Sequence, residues 1–276
     1  MTDPQIRLES DQLSSIPLQT ARIAARAAGE ILKSYYHNGV QMRSKGGPDL
    51  VSDADLSAER CIVREIQSAF PTHTILGEEE TSGNASAEHL WIVDPLDGTT
   101  NFAHHIPHFA VSIGYYHQGV AQCGVVWNPI REDWFEAVRG QGAYHNGVRM
   151  AVGSETRLSD VLIGIGFYYD RGAMMEATLM GVRDCFRQNI HGVRRFGTAS
   201  LDLAHVALGY YGAYFEYQLS PWDFAAGRLL VEEAGGKVTT CHGLEVPLNQ
   251  KTSVLASNSI LHEAMLPVIS PYAPSP

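Results

Sequence analysis

The stretch WIVDPLDGTTNFAH, residues 91–104, delivers two carboxylates three residues apart onto a stiff turn. Trp91-Ile92-Val93 is a short apolar run of the kind that forms a buried strand. The run stops at Asp94-Pro95-Leu96-Asp97-Gly98. Pro95 fixes its own φ and removes a backbone donor, and Gly98 permits a crowded or left-handed backbone. Thr99-Thr100-Asn101 then suit a helix N-terminus. Carboxylates facing the free N–H groups of a helix start make a place where a metal cation and an anion can meet. Taken alone, a DPxDG segment serves equally well as a shaped turn, because Asp favours turns. It is a poor calcium loop: with Asp94 first, the turn glycine would fall at Thr99 and the closing Glu at His105.

Three further segments bring acids to the ends of elements. Asp53 and Asp55 stand at the start of a helix predicted over about 55–69, where capping and dipole compensation are worth about 0.5–2 kcal/mol. Glu78-Glu79-Glu80 follow a short strand, Thr74-Ile75-Leu76, through Gly77. Such a charge run is ordinarily a solvated loop. Ser220, Pro221 and Asp223 read as N-cap, first and third positions of a helix that continues to Ala234 and stops at Gly235-Gly236. Seven residues before Asp223, Glu216 interrupts the strand Ala213–Tyr217.

The elements that must position these acids alternate in type. A helix is predicted from Pro17 to about His37, with Leu18, Ala21, Ala25, Ala28 and Leu32 on one face. Residues 109–139 read as an antiparallel meander divided at His117-Gln118-Gly119 and Asn128-Pro129, and Asn146-Gly147 adds another tight turn. Val161–Ile165 opens a second αβ half. It continues with a helix over 174–186, a strand over 191–196 and a helix from Thr198-Ala199-Ser200 to near Gly209. Strands at 237–240 and 253–256 close it. Residues 1–16 and 266–276 read as loose tails.

Bulk properties narrow the function classes. The chain has 276 residues, 45% of them hydrophobic, enough for a sizeable core. Thirty acids against 20 bases give a net charge of −10, and no basic cluster offsets it. That balance argues against nucleic-acid or anionic-membrane partners and suits cations better. Cys61, Cys123, Cys185 and Cys241 form no CxxC pair, so neither a zinc site nor a disulfide framework is indicated. The N-terminus lacks a signal-peptide pattern, and no apolar run approaches the ~20 residues of a membrane span. A cytoplasmic location is the expectation. His104, His105 and His108 are read as structural, since magnesium prefers oxygen ligands.

The longer string DPLDGTTNFAH resembles the signature of the inositol monophosphatase family, the magnesium-dependent, lithium-sensitive sugar-phosphate phosphatases. Gly77-Glu78-Glu79 resembles the family's GEE, and LSPWDFAAGRLLVEEAGG resembles its second signature, WDxAAGxxxxxEAGG. The likeness runs from about Leu18 to near residue 260. It implies a layered α-β-α-β-α sandwich of the sugar phosphatase type, an α+β or α/β arrangement. Its N-terminal half would span about 17–152 and carry the metals, and its C-terminal half about 153–265. The resemblance further implies a homodimer.

Residue by residue, the resemblance assigns Glu78, Asp94 and the Leu96 carbonyl to one metal and Asp94, Asp97 and Asp223 to a second, with Glu79 supporting or holding a third. Gly98 and Thr99 would offer N–H groups to the phosphate. Thr99, bonded to Asp55, would help Glu78 orient the attacking water. Asp97, Asp223, Glu216 and the turn Gly197-Thr198-Ala199 would meet the substrate.

Two carboxylates about 4 Å apart repel by about 4 kcal/mol at an effective dielectric of about 20, so five clustered acids need cations or raised pKa values. An all-oxygen ligand set favours Mg²⁺, two or three per site. The implied reaction is hydrolysis of a small-molecule phosphomonoester by in-line attack of a metal-activated water, with no covalent intermediate. Thr100 stands where nucleotide-bisphosphate phosphatases of the superfamily carry Lys, which favours a polyol phosphate, myo-inositol 1-phosphate first. Histidinol phosphate and fructose 1,6-bisphosphate stay open, as does a non-catalytic phosphate- or polyol-binding regulator. Tyr168 and Tyr169 either line the pocket or pack.

Overall fold

The computed structural model describes residues 15–39, 42–46 and 49–274. Two helices, α1 (Ile16–Asn38) and α2 (Asp53–Ala69), flank a hairpin of β1 (Met42–Gly46) and β2 (Asp49–Ser52). A seven-stranded sheet follows: β3 (Thr74–Gly77), β4 (His89–Asp97), β5 (Ala110–His117), β6 (Val120–Asn128), β7 (Asp133–Val138), β8 (Gly142–His145) and β9 (Val148–Arg149). Its strands lie in sequence order. Only the β3–β4 pair is parallel, so the sheet is the expected meander extended by one parallel edge strand. The short helix α3 (Thr99–Ala103) breaks the path from β4 to β5.

The second sheet has five strands in the order β11 (Gly192–Arg194), β10 (Leu162–Ile165), β12 (Ala213–Leu219), β14 (Thr252–Asn258), β13 (Gly236–Thr239). Its first three strands are parallel and the rest antiparallel. Helix α4 (Ala173–Arg187) crosses from β10 to β11. Helices α5 (Ala199–Ala207) and α6 (Pro221–Glu233) follow, and α7 (His262–Ile269) comes last.

Packing orders these elements into five layers. The apolar faces of α1 and α2, with Leu18, Ala25, Leu32, Ile62 and Ile66, cover one side of the first sheet. Its other side buries Ile92, Val126 and Phe135 against α5 and α6, which lie between the two sheets. The far side of the second sheet packs Ile163, Phe215 and Leu255 against α4 and α7. The result is the α-β-α-β-α sandwich that the resemblance implied. Helix α6 approaches the first sheet through glycines: a Cβ on Gly124 would sit 3.0 Å from the Ala226 carbonyl oxygen, and one on Gly114 3.2 Å from the Ala226 amide nitrogen.

The C-terminal segment is a correction to the sequence reading. Residues 266–276 were expected to be loose, yet Leu266 to Ile269 belong to α7 and residues 270–272 add a 3₁₀ turn. Leu261, Met265 and Ile269 recur at four-residue steps and are buried against the second sheet. That burial outweighs the backbone donor lost at Pro267. The β1–β2 hairpin also went unread, because no apolar alternation marks it. Of the N-terminal tail, residues 1–14 lie outside the described residues. Among the described residues, no helix is long and apolar enough to cross a membrane.

Replacing Gly124 by Val pushes two methyl groups and a Cβ into the α6 backbone. Overpacking of this kind costs about 1–3 kcal/mol. Gly124→Val should lower the urea midpoint accordingly, and an unchanged midpoint would mean that α6 does not rest on β6 this closely.

Candidate active site

Strand β4 runs through the core and emerges at Asp94-Pro95-Leu96-Asp97. Its register against β5 shifts between Asp94 and Asp97, a bulge that re-aims both side chains at the sheet's end. Asp94 Oδ1 accepts the Leu96 N–H at 2.9 Å, which folds the corner. Gly98 then takes φ +96, and a Cβ there would fall 2.4 Å from Thr198 Oγ1. Only glycine lets the corner touch the second half of the molecule at this point. Asn101 clamps the contact: its amide donates to the His108 carbonyl at 2.8 Å and to the Phe196 carbonyl at 2.7 Å. Thr198 Oγ1 donates to the same His108 carbonyl at 2.9 Å.

Helix starts hold the remaining acids. The Ser200 N–H in the first turn of α5 donates to Asp97 Oδ2 at 2.7 Å. Ser220 and Asp223 form the predicted capping box of α6, with the Ser220 N–H donating to Asp223 Oδ2 at 2.6 Å. A second box caps α2, where Asp55 Oδ2 accepts from the Ser52 N–H at 2.8 Å and from the Ser52 hydroxyl at 2.6 Å. The residues that close these capping boxes are therefore also candidate site residues. Thr99 Oγ1 donates to the Leu96 carbonyl at 3.0 Å and lies 3.3 Å from Asp55 Oδ1.

These parts enclose a cavity of about 250 Å³. Glu78, Asp94, Leu96, Asp97, Gly98 and Thr99 line it from the first half, and Gly197, Thr198, Ala199, Glu216 and Asp223 from the second. Two sequence-derived site residues stand outside the lining. Asp55 is buried behind Thr99. Glu79 sits in the turn beyond Glu78, its N–H donating to Glu59 Oε2 at 2.7 Å. Tyr168 and Tyr169 line the cavity, and Lys251 Nζ donates to the Tyr168 hydroxyl at 2.8 Å.

Three residues at the site escaped the sequence reading. Glu59, buried on α2, accepts the N–H groups of Glu79, Glu80 and Thr81 and the Thr81 hydroxyl, all within 2.8 Å. It thereby fixes the acidic turn that presents Glu78. Its position on the α2 face that also carries Asp55 and Ile62 was the available signal. Asp202 lines the cavity from the buried face of α5, its charge set inside the apolar run Leu201-Asp202-Leu203-Ala204. Arg195 also lines the cavity, and its charge opposes the rise in the Glu216 pKa.

Electrostatics records the crowding. Burial, then the charges of Glu78, Asp97 and Asp223, push the Asp94 carboxyl well above the usual carboxylate range. Burial, then Asp97 and Glu78, do the same to Asp223, which keeps part of its surface open to the cavity. Burial raises Asp97 to about 6 against its bonds from Ser200, and raises Asp55 to about 6 against its bonds from Ser52. Glu216 rises to about 7, chiefly by burial, although the Tyr214 hydroxyl donates to its Oε2 at 2.7 Å. Among the described residues, no three of these carboxylates place one oxygen each within 4.8 Å of one another. The donor set is all oxygen and its charges repel. That is the chemistry a hard divalent cation relieves.

The family model described as the inositol monophosphatase family matches residues 17–272. The chain belongs to the inositol monophosphatase family. A Pseudomonas aeruginosa relative named Nus factor SuhB is 42% identical over 93% of this chain and 97% of its own length. A Rhizobium meliloti relative named inositol-1-monophosphatase is 42% identical over 91% of this chain and 92% of its own. The solved inositol monophosphatase of Anabaena superposes with a TM-score of 0.82 at 38% identity, covering 93% of this chain and 96% of that one. Membership of the inositol monophosphatase family supports a phosphatase, while the two relatives' names differ in what they credit.

The raised carboxyls have a thermodynamic consequence. Asp55 and Asp97 have an ordinary value of 3.8 and stand near 6 in the fold. Between about pH 4 and 6 the metal-free fold keeps protons that the unfolded chain has released, so this part of its stability falls as pH rises. Buried His108, His205 and His262, each lowered to about 4, act in the opposite sense at acid pH. The difference between Mg²⁺ and chelator at each pH isolates the carboxyls. The rise in melting temperature produced by Mg²⁺ over EDTA should grow from about pH 5 to about pH 7.5, as cations displace fewer protons. A rise that is constant or shrinks over that range would separate the cluster from cation binding.

Proposed function

We propose that this protein is a metal-dependent phosphomonoesterase acting on a polyol phosphate, with myo-inositol 1-phosphate as the first substrate to test. The observation that carries this reading is the convergence of Glu78, Asp94, Asp97 and Asp223 on one small cavity, where burial and neighbouring charge drive up the pKa values of the three aspartates. Glu78, Asp94, Asp97, Asp223 and the Leu96 carbonyl would hold two Mg²⁺, with Glu79 supporting them or holding a third. When bound, such ions supply neutralisation of phosphoryl charge and activation of water near neutral pH.

The chain's own groups do the rest. Gly98 and Thr99, at the start of α3, present N–H groups toward the phosphoryl oxygens. Thr99 Oγ1 lies between the Leu96 carbonyl and Asp55 and orients the attacking water with Glu78. An Asp55 carboxyl near 6 is matched to accepting a proton at neutral pH. On the far wall, Glu216, held by Tyr214, accepts hydrogen bonds from hydroxyls of the alcohol half, and Gly197-Thr198-Ala199 bounds that half. In this reading the protein works in the cytoplasm as a homodimer, is inhibited by lithium and needs no nucleic acid.

A second reading rests on one observation: a relative 42% identical along nearly its whole length is named a Nus factor. In that case the cavity would be a binding site and the working partner a macromolecule.

Phosphate release from inositol 1-phosphate, histidinol phosphate, fructose 1,6-bisphosphate and adenosine 3′,5′-bisphosphate, with Mg²⁺ and with EDTA, decides between the two. We expect Mg²⁺-dependent turnover that is greatest on inositol 1-phosphate. A folded, Mg²⁺-loaded protein inert toward all four would favour the second reading. Asp94→Asn should lower kcat by about 10²–10³-fold with the fold intact, the usual cost of losing one electrostatic stabiliser; full turnover in that variant would end the metal assignment. Thr99→Ala should reduce kcat more than it weakens Mg²⁺ binding. An unchanged kcat removes Thr99 from the machinery.

A further inference from the structure

The end of β4 remote from the acidic corner carries a second set of metal-ligating side chains. His89 opens β4 and is the register partner of His117, the last residue of β5. The Glu88 carbonyl accepts the Gln118 N–H at 2.7 Å, which closes the two strand ends on each other. One donor atom from each of Glu88, His89 and His117 lies within 4.8 Å of the other two. Glu88 Oε1 is 3.6 Å from His117 Nε2. Two ligands of a zinc-sized ion, with bonds of about 2.0–2.2 Å in tetrahedral geometry, stand about 3.4 Å apart. Small side-chain turns therefore bring all three onto one ion.

The ring of His89 is already oriented. The Tyr115 hydroxyl lies 2.7 Å from its Nδ1, and the His73 ring stacks on it with centroids 4.3 Å apart. Ligating histidines are ordinarily held through their second nitrogen in this way, which leaves Nε2 for the ion. His73 takes the Trp91 indole N–H on its Nδ1 at 3.1 Å, so it supports the stack and is not a ligand. His117 also stacks on His89, nearly parallel at 4.7 Å. Its side chain is 41% exposed, so it is free to turn out of the stack toward a shared ion.

We propose that Glu88, His89 and His117 form a second cation site that takes a borderline divalent transition metal such as Zn²⁺. Two imidazoles and one carboxylate are a donor mix that favours Zn²⁺, Co²⁺ or Ni²⁺, where the all-oxygen corner favours Mg²⁺. The two sites are separate. Asp94 is five residues along the strand from His89, about 17 Å at about 3.3 Å per residue. An ion here ties the start of β4 to the end of β5, so its effect is on stability and not on turnover.

Calorimetric titration of the full chain with Zn²⁺, in saturating Mg²⁺, tests the site in wild type, His117→Gln and Asp94→Asn. We expect one Zn²⁺ equivalent in wild type and in Asp94→Asn, with a raised melting temperature. Binding should be at least about tenfold weaker in His117→Gln, whose melting temperature without Zn²⁺ stays at the wild-type value. Glu88→Gln serves as the second variant should His117→Gln fold poorly, with the same weakening expected. Equal Zn²⁺ affinity in the ligand variants overturns the proposal, and so does loss of the equivalent in Asp94→Asn alone, which would put the ion in the acidic corner. Absence of any Zn²⁺ binding in saturating Mg²⁺ also overturns it.

Discussion

Like charges forced together govern this structure. Asp94, Asp97 and Asp223 each stand beside other acids in a site shielded from bulk water, and Glu78 adds its charge to all three. Left alone, such carboxylates either take up protons or move apart. The fold prevents the second by tying each to backbone. Asp94 is held by the Leu96 N–H, Asp97 by Ser200 and Asp223 by Ser220. What remains is a concentrated negative field whose relief requires a proton or a cation. In the proposed function that competition makes the cavity chemically useful, because the same field would draw in hard divalent ions able to meet a phosphate.

The five layers exist, in functional terms, to make this confinement rigid. Strand β4 is sandwiched between α2 and α6, and its bulge turns two side chains out of the sheet together. A second irregularity, in β12 between Glu216 and Leu219, lies across the cavity at the acid that lines its far wall. Helix α6 stands on glycines of β5 and β6, which sets Asp223 close to the corner. Glu59 is the least obvious part. A buried carboxylate with four donors around it, outside the lining of the acidic cavity, holds the turn that carries Glu78. Its worth lies in what it immobilises.

Much of the site was legible in the sequence because local rules and site chemistry coincide. Ser220-Pro221-Trp222-Asp223 reads as a capping box, and the box is what aims Asp223. DPLDG reads as a strand end and a tight turn, and the turn is what pairs the two carboxylates. The parts that stayed hidden depend on contacts distant along the chain. Nothing near Glu59 announces that residues 79–81 will close around it. Asp202 looks like an ordinary helical acid until α5 is known to be sandwiched between two sheets. Helix α7 is short and contains a proline, and only the core of the second sheet gives its apolar side a reason to fold. Sequence patterns report what an element does for itself, and these residues act for another element.

On the two proposals made above, strand β4 serves two kinds of ion chemistry without conflict. Its C-terminal end is all oxygen and buried, a donor set that suits hard cations. Its N-terminal end is exposed and rich in imidazole, where neutral nitrogen donors meet a single carboxylate and the field is weak. Between them lie Trp91, Ile92 and Val93, all buried and none of them ionisable. A low-dielectric spacer of this kind strengthens interactions at each end and shields neither end from the other, so separation has to come from length. At about 17 Å two unit charges interact by only about 1 kcal/mol at an effective dielectric of about 20, so the length is sufficient. The apolar middle of β4 thus does more than fill the core, since it sets the distance at which the two ends can differ.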